Sequence, residues 1–333
     1  MKKLFTSLLV LGMMAPFGAS AQLQLKAEAP ANPDNEPVPV HPVPHPRQLK
    51  WQETEFYAFY HYGMNTYTGL EWGNGDEDPK RFAPTAAPNP RQWLEVAKAA
   101  GMRGGIAVVK HHDGFCMWDT KYTDYNIMNT PYGKDVLKSL AKACDKNDLK
   151  LHLYYSHIDW TREDYPAGRT GRGTGKNPAN ENWGQYYKFM NDQLTELLTN
   201  YGPIGAIWFD GWWDHDQDSV AFDWQLPEQY ELIHRLQPSC LVANNHHQTP
   251  FEGEDIQIFE RDVPGENHAG LSGQSISRLP LETCQTMNGM WGYKVTDTNY
   301  KSFNQLVQLL VKTASKGGNL LLNVGPQPNG ELP

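Results

Sequence analysis

The sequence predicts a (β/α)8-type barrel, TIM-like in plan. Apolar runs of strand length alternate with amphipathic stretches of helical spacing, and polar or aromatic clusters recur at the C-terminal ends of the apolar runs. Strand–helix alternation argues for a parallel sheet, and a barrel gathers its chemistry on the face where the βα loops converge. A doubly wound sheet would instead carry a Gly-rich phosphate loop after its first strand, and neither G-x-G-x-x-G nor G-x-x-x-x-G-K-[ST] occurs.

The elements follow in order. FYAFYHYGMN (56–65) reads as the first strand, and NPRQWLEVAKAAGM (89–102) has helical spacing up to a Gly-containing break. GGIAVVKHHDGF (104–115) is a β-branched run that ends in a polar cluster, followed by the amphipathic helix KDVLKSLAKACDKNDL (134–149) and the strand KLHLYYS (150–156). A long helix (182–201) precedes the strand GAIWFDG (205–211), and a helix (227–238) precedes CLVANN (240–245). DIQIFE (255–260) is a further short strand, and the helix at 304–318 leads into the closing strand NLLLNVGP (319–326). The chain ends at GPQPNGELP with no helix to cover that strand, so the sequence reads as a barrel truncated at its C-terminus.

MKKLFTSLLVLGMMAPFGASAQ begins with two lysines and an apolar run, then Ala19-Ser20-Ala21. This is the pattern of a signal peptide over residues 1–21, cleaved after Ala21. The run is interrupted and short for a membrane span, and no Cys follows the cleavage point. The mature protein is therefore expected to be secreted or periplasmic and free of the membrane. Residues 22–48 form a Pro-rich N-terminal arm, and residues 49–333 the barrel domain.

With 11 Trp and 16 Tyr against a formal charge of −9, the chain lacks the basic field that nucleic acid requires. It suits a sugar, whose C–H face stacks on aromatic rings. The four cysteines form no CxxC pair, which argues against a zinc ribbon and for isolated buried thiols.

In IWFDG, Asp210 ends a buried strand and points into the barrel mouth, and Gly211 lets the backbone turn sharply. Asp214 and Asp216 lie in the loop beyond and read as solvated, with Trp212 and Trp213 at the rim. In KHHDGF, adjacent side chains on an extended segment point apart. His111 and His112 therefore fit hydrogen bonding to sugar hydroxyls better than metal ligation, and no HExxH is present. Lys110 is expected to pair with a carboxylate. His61 ends the first strand, and Glu71-Trp72 form a candidate sugar clamp. Glu260, Glu266 and Glu282 compete to be the second catalytic carboxyl. No GxSxG elbow suggests acyl transfer.

Taken together, YHYGMNTYTGLEWG, VVKHHDGFCMWDT, LYYSHIDW, IWFDGWW, LETCQTMNGMWGY and SKGGNLLLNVGPQPNGELP resemble glycoside hydrolase family 29, the α-L-fucosidases, over nearly all of residues 50–333. The resemblance implies a barrel-like catalytic domain, often followed by a β-sandwich. It also implies retaining hydrolysis without metal or organic cofactor, and a fucosylated oligosaccharide or glycoconjugate as substrate. Position by position it makes Asp210 the nucleophile and Trp208 a wall of the sugar site. His61, Glu71, Trp72, His111, His112 and Tyr154 become fucose-binding residues, and Trp291 an aromatic near the sugar's methyl group. Glu260 is the best match for the acid/base and Glu266 the second, with Glu282 structural. Family members often have an Arg after the position of Asn244; here the stretch reads NNHHQ, leaving His246 to replace it or Arg261 to reach in.

Such an enzyme needs two carboxyl groups about 5–5.5 Å apart. Asp210 would be ionised, and Glu260 protonated with a raised pKa. Two alternatives stay open on the same fold: a catalytically weak or inactive fucose-binding protein, and a glycosidase of α-L-galactosidase type.

Overall fold

The computed structural model describes residues 44–170 and 176–333. The expected signal peptide and residues 22–43 of the expected arm lie outside the described residues. Eight parallel strands form the sheet: β1 (Phe56–Tyr60), β2 (Gly104–Lys110), β3 (Lys150–Ser156), β4 (Ala206–Asp210), β5 (Leu241–Asn245), β6 (Gln257–Glu260), β7 (Leu281–Thr286) and β8 (Gly318–Val324). Their order is β5-β4-β3-β2-β1-β8-β7-β6, and a parallel bridge between Ala243 and Ile256 brings the two edges together. The result is a nearly closed TIM-like barrel, as the alternation in the sequence required.

The helices are α1 (Pro46–Gln52), α2 (Met64–Thr68), α3 (Pro90–Ala99), α4 (Val136–Lys146), α5 (Trp183–Asn200), α6 (Leu226–Leu236) and α7 (Phe303–Ser315). Side-chain caps satisfy the first N–H groups of the main outer helices: Asn89 on α3, Asp135 on α4, Asn182 on α5 and Ser302 on α7. Two features differ from the sequence reading. Helix α1 starts within the stretch read as an extended arm, with Pro46 in its first turn and His45 as a capping residue. The sequence pattern misses strand β7, because LETCQT looks too polar for a buried strand. Its Glu282 and Thr286 are nevertheless fully buried, since they face partners on other strands. The segments after β5 and β6 carry no helix.

Strand periodicity of two divides the core. Tyr57, Phe59, Tyr154, Trp208, Ala243, Ile258 and Cys284 fill the barrel interior. Their sequence neighbours, such as Ala58, Tyr60, Tyr155, Ile207, Phe209 and Val242, pack between barrel and helices. The same parity carries the inward face up to the rim. Asp210 follows Trp208, Asn245 follows Ala243 and Glu260 follows Ile258, so all three side chains enter the barrel mouth. In β2 a register shift between Val108 and Lys110 breaks the parity and sets Lys110 opposite Tyr155. The shift sends Lys110 outward, where its ammonium meets Asp159 at 3.3 Å and Tyr186 Oη at 2.9 Å, as the expected pairing requires. His111 and His112 are left facing the cavity. All four cysteines are free and buried.

Candidate active site

At the C-terminal end of the strands lies a cavity of about 330 Å³. Every expected site residue lines it except Glu266: His61, Glu71, Trp72, His111, His112, Tyr154, Trp208, Asp210, Glu260 and Trp291. Phe59, Arg169, Trp213, Asn245, His247, Arg261 and Leu271 complete the wall. Glu266 sits on the loop after β6, ion-paired with Lys312 at 2.7 Å and His268 at 3.1 Å.

Asp210 is held from three sides. Tyr154 Oη donates to Oδ2 at 2.9 Å, while Trp213 Nε1 at 2.9 Å and the Gly211 N–H at 2.8 Å donate to Oδ1. Gly211 has φ of 102°, and a Cβ there would lie 2.7 Å from Ile158, so only glycine fits this turn. Burial and the charge of Glu260 push the Asp210 carboxyl up to about 6, against the hydrogen bonds from Trp213 and Tyr154.

Glu260 is held from below by Asn245 Nδ2, 2.8 Å from Oε2, and by His247 Nε2, 3.0 Å from the same oxygen. Its other oxygen is 3.9 Å from Arg261 Nε. The sequence led us to expect a raised pKa for this carboxyl. Burial does act in that direction, but the hydrogen bond and charge of His247, with Asn245 and Arg261, outweigh it and hold the carboxyl below its ordinary range. Burial opposes protonation of His247, and Glu260 and Asp210 reverse that and raise its pKa.

The histidines of the opposite wall have defined tautomers. Asn323 uses its Nδ2 on Thr286 and on Trp291 O, so its Oδ1 must accept from His61 Nδ1 at 2.6 Å. Ser156 donates its one hydroxyl proton to Ile158 O at 3.0 Å, so His112 Nδ1 must donate to Ser156 Oγ at 2.6 Å. The His61 Nε2 is thereby set as an acceptor for a hydroxyl group, while His112 Nε2 lies 3.7 Å from Asp210 Oδ2. Burial keeps His61 well below its ordinary range and lowers His111 to about 4, so both are neutral at physiological pH.

The remaining wall is aromatic. Tyr154 stacks on His111 at 5.3 Å and on Trp208 at 5.4 Å, and Trp72 stacks on Trp213 at 5.6 Å. Glu71 accepts from the Trp291 N–H at 2.9 Å, so it fixes the loop that carries Trp291. Trp208 is fixed from inside the barrel by Glu282, which accepts from its Nε1 at 2.8 Å and also bonds Tyr57 Oη. Burial raises the Glu282 carboxyl far above its ordinary range, so it is neutral and braces the Trp208 wall from below.

Several placements correct the sequence reading. Asp214 is not solvated: it is fully buried and accepts from Tyr165 Oη at 2.9 Å and the Thr170 N–H at 3.0 Å. Asp216 is exposed and pairs with Arg169 at 3.1 Å. Trp213 does not merely shape the rim but grips Asp210, whereas Trp212 packs on His246 and Phe251. Of the two candidates to replace the expected Arg after Asn244, Arg261 reaches the cavity, 5.0 Å from the Trp291 ring. His246 is buried against Glu254 at 3.0 Å. The sequence pattern does not pick out His247 or Arg169. Among the described residues, no group of three or more His, Cys, Asp or Glu is placed to hold a metal ion, and no helix is long and apolar enough to cross a membrane.

A family model described as Alpha-L-fucosidase matches residues 21–333. Alpha-L-fucosidase 1 of Arabidopsis thaliana is 33% identical over 266 residues, 79% of this chain and 45% of that protein. Putative alpha-L-fucosidase 1 of Oryza sativa subsp. japonica is 29% identical over 318 residues, 90% of this chain and 58% of that protein. Among solved structures, alpha-L-fucosidase isoenzyme 1 from Paenibacillus thiaminolyticus aligns with a TM-score of 0.72 at 33% identity, covering 86% of this chain and 72% of that one. An alpha-L-fucosidase from Lactobacillus casei in complex with alpha-L-fucose product aligns with a TM-score of 0.72 at 25% identity, covering 86% and 93%. The chain spans about half the length of the curated relatives it matches.

Proposed function

The chain belongs to the α-L-fucosidase family, glycoside hydrolase family 29, and from that premise we propose that it is a retaining exo-α-L-fucosidase. It releases terminal α-L-fucose from glycans by double displacement. The observation that carries this reading is that the strand-end carboxyls Asp210 and Glu260 line one cavity with the neutral His61 and His111 and an aromatic wall.

In the first step an Asp210 oxygen bonds to the anomeric carbon as the glycosidic C–O bond breaks, and Glu260 gives its proton to the departing oxygen. Asp210 then carries a fucosyl ester. In the second step water attacks the same carbon, gives a proton to Glu260, and the ester bond breaks to restore the Asp210 carboxylate. The hydrogen bonds from Tyr154, Trp213 and Gly211 hold Asp210 in line for attack. His61 offers its Nε2 as an acceptor to a sugar hydroxyl, His112 lies beside Asp210, and the Trp208–Trp291 wall covers the apolar face. An N-terminal stretch of signal-peptide pattern supports a secreted or periplasmic location.

Turnover of an aryl α-L-fucoside tests the reading. Asp210→Gly should nearly abolish hydrolysis, with partial recovery in azide as the anion occupies the vacated space. Glu260→Ala should slow poor leaving groups by about 10²–10⁴ and activated ones far less. Full activity of Asp210→Gly refutes the assignment. Fucose binding without hydrolysis by the unaltered protein would instead mark a sugar-binding protein on this fold.

A further inference from the structure

Among the described residues, two of the five non-glycine positions with left-handed backbone lie in the wall of the cavity, and both adjoin Glu260: His247 with φ of 62° and Arg261 with φ of 62°. Such a conformation costs energy and is kept where the surroundings impose it. At His247 it folds the chain beyond β5 back, so that the imidazole meets Glu260 Oε2 at 3.0 Å. Asn245 Nδ2 donates to the same oxygen at 2.8 Å. Oε2 is thus committed to protein donors, and Oε1 is the oxygen left for the substrate.

We propose that His247 is the positioning residue of the acid/base: it and Glu260 hold one proton between them, and the pair, rather than Glu260 alone, sets the upper pH limit of hydrolysis. The inference rests on the reading of Glu260 as acid/base. The Nε2–H···Oε2 bond persists throughout, and the mobile proton resides on His247 Nδ1 or on Glu260 Oε1. In the first step Oε1 gives that proton to the departing glycosidic oxygen, which leaves a carboxylate beside a neutral imidazole. In the second step the attacking water returns a proton to Oε1.

The charged groups facing His247 are Glu260 on β6, Asp210 on β4 and Arg169 on the loop after β3. Arg261 faces Glu260 from the other side, and the adjoining His246 is paired with Glu254. The two carboxylates favour protonated His247, while Arg169 and burial oppose it, and the carboxylates prevail. Burial raises Glu260 and His247 is the largest influence against it, so beside the imidazole the carboxyl gives up its proton at neutral pH. The imidazole lets the pair keep one. Hydrolysis then needs Asp210 ionised, with its pKa about 6, and the pair still protonated. The active window lies between those two titrations.

The test combines two variants with two readouts. His247→Gln replaces the imidazole by a donor that does not titrate. His247→Asn accepts the left-handed backbone but withdraws the donor. The pH profile of kcat/KM on an aryl α-L-fucoside should lose its basic limb downward by at least one unit in His247→Gln, and by less in His247→Asn, where loss of the donor lets burial raise Glu260. Relative activity of His247→Gln at pH 8 should fall about tenfold or more, while a dinitrophenyl fucoside, which needs no proton, should respond little. An unmoved basic limb with an active unaltered protein overturns this inference and leaves the function standing. The second readout needs no activity: the His247 ring signal in NMR should titrate above the ordinary histidine value, and fall below it in Glu260→Gln. An unchanged titration in Glu260→Gln overturns the pairing even if the protein hydrolyses no fucoside.

Discussion

Replacing Trp213 by Phe isolates one of the three hydrogen bonds on Asp210. The change removes the Nε1 donor 2.9 Å from Oδ1 and keeps a ring to stack on Trp72. A hydrogen bond to a charged group is worth about 1.5–3 kcal/mol. Only its preference for the ionised carboxylate matters here, and water entering the site returns part of that. A net loss of about 1.4 kcal/mol raises the carboxyl by about one unit, from about 6 toward about 7. The sign follows from the role: an ionised nucleophile is active above its pKa and silent below it, so the acid limb of the pH profile moves up. At pH 5 the ionised fraction drops from about one in eleven to about one in a hundred, and kcat/KM falls about tenfold relative to its plateau. The assay is the pH dependence of kcat/KM on an aryl α-L-fucoside, with Trp212→Phe as control, since Trp212 packs on His246 and Phe251. An unmoved acid limb in Trp213→Phe, or an equal shift in Trp212→Phe, refutes the reasoning.

Two further outcomes follow from the other glutamates. Glu282→Gln keeps an acceptor for Trp208 and gains a donor for Tyr57, so it copies the neutral acid. Because the folded carboxyl of Glu282 titrates far above its unfolded value, wild-type stability falls as pH rises above the ordinary glutamate range. The stability of Glu282→Gln relative to wild type should therefore increase from pH 4 to pH 8 in urea unfolding, and a difference that is flat in pH contradicts a buried neutral acid. Glu266→Ala breaks only the exposed pairs with Lys312 and His268, and kcat/KM should stay within about twofold, since such pairs contribute little; a collapsed activity would return Glu266 to candidacy as the acid/base.

The fold was legible because period-two and period-3.6 patterns alternate and the chemistry sits just past the apolar runs. It failed at β7, where Glu282 and Thr286 are inward polar residues. Their partners, Trp208 Nε1 and Asn323 Nδ2, come from strands far off in sequence. No local pattern shows that such groups are satisfied, so LETCQT reads as a loop. The end of the arm is less legible: a Pro-rich stretch is a fair sign of extended chain, but Pro46 sits where a helix accepts proline, in the first turn of α1.

Within the site, strand parity is the signal that separates neighbours. In β5 the inward positions are Leu241 and Ala243. Carrying that count to the end of the strand selects Asn245 over Asn244. The structure obeys it: Asn245 lines the cavity and Asn244 bonds Tyr230 outside the barrel, while His247, two residues past the strand, is brought in by its left-handed backbone. The same count through Ile256 and Ile258 selects Glu260 and is silent on Glu266, which lies beyond the strand, where parity has no meaning. Arg169 and Trp213 come from irregular loops, so no periodicity reaches them. Trp213 is the instructive case. Its indole is aimed at Asp210 by a 3₁₀ turn that depends on Gly211 at φ of 102°. The glycine that frees Asp210 to enter the cavity is therefore also the residue that brings its hydrogen-bond donor back onto it.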